Sequence, residues 1–140
     1  MNDRFFLDTN VVFYSFDQAS PEKSARAALL LRSGLVDHKG AISYQVVQEF
    51  FNVAHKRSQG PMRLEEAEQF LSTVLRPLCV VHSSPALFHK ALQLVDRFRL
   101  QWYDGLIVAG AIEAKCGILY TEDFQNGQKF EELEVRNPFL

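Results

Sequence analysis

Arg4-Phe5-Phe6-Leu7-Asp8-Thr9-Asn10-Val11-Val12 begins with an apolar run, continues through a single acid and ends in the start of a helical pattern. The apolar run indicates a short buried strand over residues 4–7, and helical spacing continues from Thr9 to about Phe16. Asp8 stands at the junction of the two predicted elements. Such a strand-to-helix unit is typical of parallel sheets, in which neighbouring strands are joined by crossover connections.

The rest of the chain repeats this alternation of strands and helices. Ser20-Pro21 and Ser84-Pro85 each predict a helix start, because serine caps a helix and proline suits its first position. Further strands are predicted over residues 40–42, 78–81 and 118–120, and further helices over residues 21–37, 43–57, 64–75, 85–99 and 104–114. The alternation predicts an α/β fold, with a short parallel central sheet flanked by helices on both faces.

Several residues are expected to fix the ends of these helices. Ser43 follows the second strand and is expected to cap the next helix. The group Ser58-Gln59-Gly60-Pro61 predicts a break after that helix. Pro77 is expected to stop a helix before the strand at 78–81, and Gly117 is expected to end the apolar helix that begins at Asp104.

The composition indicates one globular domain in a reducing compartment. The chain has 140 residues, of which 47% are hydrophobic, so it can bury a core without metal or disulfide support. Cys79 and Cys116 stand beside apolar residues and are expected to be reduced thiols. Apolar segments fall short of the roughly 18 residues that span a membrane, and the first residues lack a secretory pattern. We therefore expect a cytoplasmic protein that does not cross a membrane.

Acidic residues stand where an α/β sheet usually binds its ligand, at the carboxyl ends of the strands. Asp8 follows the first strand, and Glu122-Asp123 follows the strand at 118–120. Asp104 shares a face with apolar residues of its helix, and Glu49 flanks the buried stripe of another helix. Each acid alone also suits an ordinary structural role, such as a helix cap, an exposed helix position or a polar turn.

Together, these acids favour a metal site. Carboxylates gathered in a small site repel one another unless a cation is present. Oxygen ligands suit Mg²⁺ or Mn²⁺, whereas a zinc site usually has cysteine or histidine ligands at short spacing, which this sequence lacks. The chemistry suggested is hydrolysis of a phosphodiester by a water that the cation activates, with one carboxylate taking its proton.

Ordered motifs along the whole chain resemble those of PIN-domain nucleases, and most closely the VapC-like toxins of type II toxin–antitoxin systems. They are Leu7-Asp8-Thr9-Asn10-Val11, the helical Glu49, Tyr103-Asp104-Gly105-Leu106-Ile107-Val108 and Thr121-Glu122-Asp123-Phe124-Gln125-Asn126-Gly127. The resemblance implies a single PIN domain over residues 1–140 that cleaves RNA with Mg²⁺ or Mn²⁺. It also implies a cognate antitoxin and a homodimer.

The resemblance further implies a site of four acids, which are both metal ligands and catalytic residues. They are Asp8, Glu49, Asp104 and Asp123. In this assignment Asp8 and Asp104 bind the ion directly, while Glu49 reaches it through water or moves a proton. Asp123 completes the site or holds a second ion, with the adjacent Glu122 as the alternative fourth acid.

Further residues are expected to support this site. Three polar residues are expected to orient the carboxylates: Thr9, Asn10 and Thr121. With a formal net charge of −2, the chain lacks the excess of basic residues found in proteins that hold nucleic acid by counterion release, so RNA must bind to a local group of residues. The candidates for RNA binding are Lys56, Arg57, Arg97 and Arg99, together with Trp102 or Tyr103 stacking on an unpaired base. Many relatives have alanine where this sequence has Gly105.

Three other functions remain as alternatives. A phosphatase of the haloacid dehalogenase type would use an aspartate after the first strand as nucleophile, but Asn10 stands where that family has a second aspartate. A small nucleotide-binding domain would have a glycine-rich motif after a strand, and none is present. A catalytically silent PIN-like domain that binds RNA or a partner would be indicated by loss of an acid, but all four are present.

Overall fold

The computed structural model describes residues 2–56, 60 and 62–140. These residues form a central six-stranded sheet and helices that pack on it. The strands are β1 (Phe5–Leu7), β2 (Gly40–Ser43), β3 (Cys79–Val81), β4 (Ile118–Tyr120), β5 (Lys129–Phe130) and β6 (Leu133–Arg136). The α-helices are α1 (Thr9–Phe16), α2 (Pro21–Val36), α3 (Tyr44–His55), α4 (Leu64–Phe70), α5 (Arg76–Leu78), α6 (Pro85–Phe98) and α7 (Trp102–Glu113).

The sheet is mostly parallel and has the order β3-β2-β1-β4-β6-β5. Strand β1 pairs in parallel with β2 on one side and with β4 on the other, and β4 pairs in parallel with β6. The last residue of β1, Leu7, is in register with Tyr120 at the end of β4. Asp8 and Thr121, which follow these two residues, are therefore neighbours at the carboxyl edge. The predicted α/β fold is confirmed.

The core lies on both sides of β1 and around α7. All three residues of β1 are buried, as are seven consecutive residues of α7, 105–111. The helix that the sequence predicts as apolar is therefore buried in the core. Gly105 permits close packing of this helix, because a Cβ atom there would lie 2.5 Å from Val95 Cγ2 of α6. A side chain at this position would therefore force Val95 to shift.

Pro77 does not stop the helix before β3, so that prediction was wrong. After α4 the backbone continues through a π-helical turn at Leu71–Leu75 into α5, which contains Pro77 in its first turn. Within the π-helical turn the Arg76 N–H donates to the Leu71 carbonyl, five residues back. Proline lacks an N–H, and the first turn of a helical segment tolerates that loss. The strand accordingly begins at Cys79 rather than at residue 78.

Two expectations about α7 were also wrong. The helix begins at Trp102, so Asp104 is its third residue and does not open it. Its end is set by Lys115, whose φ of 59° lies in the left-handed region, rather than by Gly117. Gly117 has another role, because a Cβ atom there would lie 2.5 Å from the Asn2 carbonyl oxygen.

Three serines stand at predicted N-cap positions, but only one makes the expected contact within the described part of the chain. The Ser84 hydroxyl accepts a hydrogen bond from the Leu87 N–H at 3.1 Å. Ser20 and Ser43 make no side-chain capping bond there, and Ser43 Oγ is buried without a described partner. The predicted break at 58–61 lies outside the described residues, apart from Gly60.

The carboxyl-terminal hairpin was missed by the sequence patterns. Strands β5 and β6 have two and four residues and pair antiparallel, so the sheet is not wholly parallel. Cys79 and Cys116 are free thiols, as expected. Among the described residues, no helix combines the length and apolar character that crossing a bilayer requires.

Candidate active site

The four predicted acids line one pocket of about 280 Å³ at the carboxyl edge of the sheet. They come from four separate places: the end of β1, α3, α7 and the segment after β4. Asp8 is buried, Glu49 and Asp104 are half-buried, and Asp123 is exposed. The other lining residues are Thr9, Asn10, Gln45, Asn52, Val53, Tyr103 and Ile107.

Asp8 both caps a helix and faces the pocket. Its Oδ1 atom accepts a hydrogen bond from the Thr9 N–H at 2.7 Å, which caps α1. Its Oδ2 atom accepts one from the Thr121 hydroxyl at 2.7 Å. Burial and then repulsion from Asp123 outweigh these hydrogen bonds and raise the pKa of Asp8 to about 7. The carboxylate is thus held in place while its negative charge is poorly compensated.

Glu49 is oriented by two polar neighbours. Its Oε1 atom accepts a hydrogen bond from the Thr9 hydroxyl at 2.6 Å, and its Oε2 atom accepts one from Gln45 Nε2 at 3.3 Å. Gln45 is 4% exposed, and the same nitrogen donates to the Tyr103 carbonyl at 3.1 Å. This amide therefore connects α3, which carries Glu49, to α7, which carries Asp104.

Asp104 lies in the first turn of α7, where Gln101 and not Asp104 is the N-cap residue. Burial, and then repulsion from Asp123 and Glu49, raise its pKa. Its carboxylate therefore experiences the charge of two other acids in the pocket. A simple helix cap does not explain that arrangement.

The structure shows which of the two adjacent acids, Glu122 and Asp123, lies in the pocket. Asp123 lines the pocket, and its N–H donates to Thr121 Oγ1 at 3.0 Å. Glu122 instead binds Lys23 and Tyr14, at 2.6 Å and 2.8 Å. Neither Glu122 nor these two partners is among the pocket-lining residues of the described chain. The fourth acid of the pocket is therefore Asp123.

The chemistry of the donors fits a hard dication. All four acids supply oxygen ligands, and their mutual repulsion would be relieved by a bound cation. In the conformation described for residues 2–56, 60 and 62–140, no three side chains of His, Cys, Asp or Glu converge closely enough to hold an ion together.

Some of the residues that were predicted to support the site line the pocket, and others do not. Thr9, Asn10 and Tyr103 line the pocket, and the Tyr103 side chain is 64% exposed. Trp102 is in ring contact with Phe88 at a centroid distance of 6.2 Å. Of the four predicted basic residues, Arg57 lies outside the described residues, and the pocket lining described here includes none of the other three, which are Lys56, Arg97 and Arg99.

The sequence patterns missed four residues of the pocket. Gln45 precedes Glu49 by four positions, and Asn52 and Val53 follow it by three and four, so all three share its face of α3. Ile107 follows Asp104 on α7 by three positions. Helical spacing from a predicted acid was therefore the signal that would have found all four.

Comparisons with known proteins identify the family and the fold of this chain. A family model described as PIN domain matches residues 5–131. A toxin–antitoxin complex from Klebsiella pneumoniae has a TM-score of 0.65 at 18% identity, with 95% of this chain and 96% of that chain covered. VapBC2 from Rickettsia felis, solved with a DNA fragment from its promoter, has a TM-score of 0.63 at 19% identity, covering 95% and 97%.

A third solved structure has an activity in its description. Mycobacterium tuberculosis VapC20, described as a sarcin-ricin loop cleaving toxin, has a TM-score of 0.61 at 16% identity, covering 85% of this chain and 89% of that chain. At these identities the solved structures show a shared fold. The comparison with curated protein sequences gave no match.

Proposed function

The chain belongs to the PIN domain family, and we propose that it is a metal-dependent endoribonuclease, the toxin of a toxin–antitoxin pair. One observation carries the proposal: carboxylates from four separate parts of the chain line one pocket, although they are far apart in the sequence. Repulsion between them contributes to the raised pKa values of Asp8 and Asp104. A fold has no structural need for such a cluster, whereas a cation-binding site does.

We assign Asp8 and Asp104 as direct ligands of Mg²⁺ or Mn²⁺. Glu49 reaches the ion through water or takes a proton from the attacking water, and Asp123 completes the site or holds a second ion. PIN-domain nucleases generally use divalent metal ions. When bound, the cation offsets the negative charge that develops on the phosphoryl and leaving oxygens.

The remaining contacts position these acids. The Thr9 hydroxyl holds Glu49 and the Thr121 hydroxyl holds Asp8, so each side chain has a defined direction before any ligand arrives. Tyr103 is exposed beside the acids, and we propose that its ring stacks on an unpaired base of the RNA. Residues 1–140 act in this proposal as one PIN domain.

The proposed partner is an antitoxin. The structurally similar Klebsiella pneumoniae protein was solved as a toxin–antitoxin complex, and by analogy this chain binds a cognate antitoxin. A homodimer is proposed on the family resemblance. A catalytically silent PIN-like domain is the second candidate, but all four acids face the pocket, so the observation favours the nuclease.

Cleavage of structured RNA by the purified protein tests the proposal. Mg²⁺ or Mn²⁺ should support cleavage and a chelator should stop it. Asp104→Asn should abolish cleavage and keep the fold, since the substitution preserves shape and removes a metal-binding charge. Asp96→Asn is the matched control, because Asp96 is an exposed acid on α6 outside the pocket lining. Equal cleavage by both variants would reject the site, and metal-independent binding without cleavage would favour the silent domain.

A further inference from the structure

Residues 121–123 connect the acidic pocket to a second polar cluster. Thr121 bonds to Asp8, Asp123 lines the pocket, and Glu122 between them points to Lys23 and Tyr14. The segment that contains Glu122 and Asp123 lies between β4 and β5, outside any strand or helix. The backbone bonds to the sheet end at Thr121, whose N–H donates to the Arg136 carbonyl, and the Asp123 N–H donates to Thr121 Oγ1, so side-chain contacts contribute to the position of Asp123.

The contacts of Glu122 are close and mutually supporting. Lys23 Nζ lies 2.6 Å from Glu122 Oε2, and the Tyr14 hydroxyl donates to Glu122 Oε1 at 2.8 Å. Both carboxylate oxygens are thus bound, one by α2 and one by α1. Glu122 is therefore held in place by two helices.

The carboxyl terminus packs over this cluster. The Phe139 ring meets the Tyr14 ring edge-on at a centroid distance of 5.2 Å. Lys23 Nζ lies 4.7 Å from the centre of the Tyr14 ring and 5.3 Å from that of Phe139. These contacts restrict the two partners of Glu122 and make their geometry more rigid.

We infer that Glu122 is a positioning residue, which Lys23 and Tyr14 hold so that the neighbouring Asp123 carboxylate and Thr121 hydroxyl stay directed at the metal-binding pocket. This inference rests on the proposed function. Its distinguishing consequence is that a lysine outside the pocket promotes cation binding. Through its charge alone, Lys23 would oppose cation binding at a nearby acidic site.

Direct measurement of Mn²⁺ binding, by electron paramagnetic resonance in the absence of RNA, separates the two effects. Lys23→Met removes a positive charge and an anchor of Glu122. Loss of charge alone would tighten Mn²⁺ binding, whereas loss of the anchor should weaken it, by about tenfold. Tyr14→Phe removes no charge and should weaken binding in the same direction. Lys23→Arg keeps the ion pair and should bind Mn²⁺ nearly as the unmodified protein does.

Lys90→Met is the matched control. Lys90 lies 2.5 Å from Glu131, and the side chains of that pair are 31% and 35% exposed, close to the 35% and 23% of Lys23 and Glu122. Neither Lys90 nor Glu131 lines the pocket described here. This variant should leave Mn²⁺ binding unchanged.

A second readout needs no metal. The backbone amide resonance of Asp123 in the metal-free protein should shift in Lys23→Met and Tyr14→Phe, and stay in place in Lys90→Met. Mn²⁺ binding by Lys23→Met as tight as, or tighter than, that of the unmodified protein would overturn the inference. If Lys23→Met does not fold, Tyr14→Phe decides the question by the same criterion. If the unmodified protein binds no Mn²⁺, the proposed function fails, and the amide resonance alone decides whether Glu122 positions Asp123.

Discussion

Two aspartates at the opposite ends of β1 have opposite environments. Asp3, two residues before the strand, is exposed and lies 2.5 Å from Lys39, whose hydrogen bond lowers the pKa of Asp3. Asp8, directly after the strand, is buried near Asp123, and its pKa is raised to about 7. The negative charge of Asp3 is thus compensated by Lys39, whereas the negative charge of Asp8 is poorly compensated. Uncompensated charge that the fold maintains indicates a ligand-binding site.

The largest effect is expected when cleavage is compared between these two ends. Asp8→Asn should lower the cleavage rate by roughly a thousandfold, because it removes a direct ligand of the proposed cation. Asp3→Asn should cleave as the unmodified protein does, since Asp3 lies at the opposite end of β1 from Asp8 and is not among the pocket-lining residues described here. Rates from single-turnover assays on the same RNA check this prediction. A similar loss of cleavage in both variants would show that the difference between the environments of Asp3 and Asp8 has no role in function.

The next largest effect is on stability, which Asp8→Asn should increase although it lowers the cleavage rate. Asp8 has a folded-state pKa of about 7, above its ordinary value of 3.8, so its contribution to stability is fully present below 3.8 and is lost as the pH rises through 7. In a chelator at pH 8, Asp8→Asn should therefore unfold at higher temperature than the unmodified protein. The expected gain is about 2 kcal/mol, after allowance for imperfect replacement of the hydrogen bonds.

Thermal unfolding between pH 4 and pH 8 measures this gain. The difference between the two proteins should grow as the pH rises, because only the unmodified protein has the buried charge. A variant that is less stable than the unmodified protein at pH 8 would show that the charge of Asp8 is compensated after all. Addition of Mg²⁺ should stabilise the unmodified protein alone.

How much of this site the sequence predicted depends on the range of the interactions involved. Asp8 was predictable because strand and helix patterns meet at that residue, and both patterns are local. The choice between Glu122 and Asp123 was not predictable, because it depends on Lys23, which is 99 residues away from Glu122 in the chain. Gln45 was identifiable only relative to Glu49.

The errors in the fold have similar causes. Pro77 was expected to stop a helix, but the π-helical turn before it changes the hydrogen-bond register, which no local pattern shows. Strand β5 has only two residues and depends on pairing with β6, so neither length nor alternation marked it. The need for glycine at position 105 comes from the packing of Val95, which is a contact between two helices that no local pattern shows.

A smaller effect on stability is expected when the packing of α7, the helix that carries Asp104, is changed without a change in charge. In Gly105→Ala the new Cβ atom would lie 2.5 Å from Val95 Cγ2 and 3.3 Å from the Ala91 carbonyl oxygen. Valine is stiff, so this crowding should cost about 1 kcal/mol net of the better helix propensity of alanine. Chemical denaturation measures the loss in the free energy of unfolding. In the double variant Gly105→Ala, Val95→Ala, the part of this loss that comes from crowding should disappear. Additive losses in the double variant would contradict the packing explanation.

The smallest effect is expected at the compensated end of β1. Lys39→Met removes the partner of Asp3, and both side chains are largely exposed. Exposed ion pairs contribute little to folding, so thermal unfolding should be unchanged within error. A marked loss of stability would show that the Lys39–Asp3 pair anchors the sheet and is not merely a surface pair.

Four carboxylates from distant parts of the chain are proposed to form one site for hard dications. Isothermal titration of the metal-free protein with Mn²⁺ tests it most directly, with Asp8→Asn and Asp3→Asn titrated in parallel. We expect saturable Mn²⁺ binding by the unmodified protein and by Asp3→Asn, and loss of binding in Asp8→Asn. Absence of binding by the unmodified protein, or equal binding by all three proteins, would contradict it.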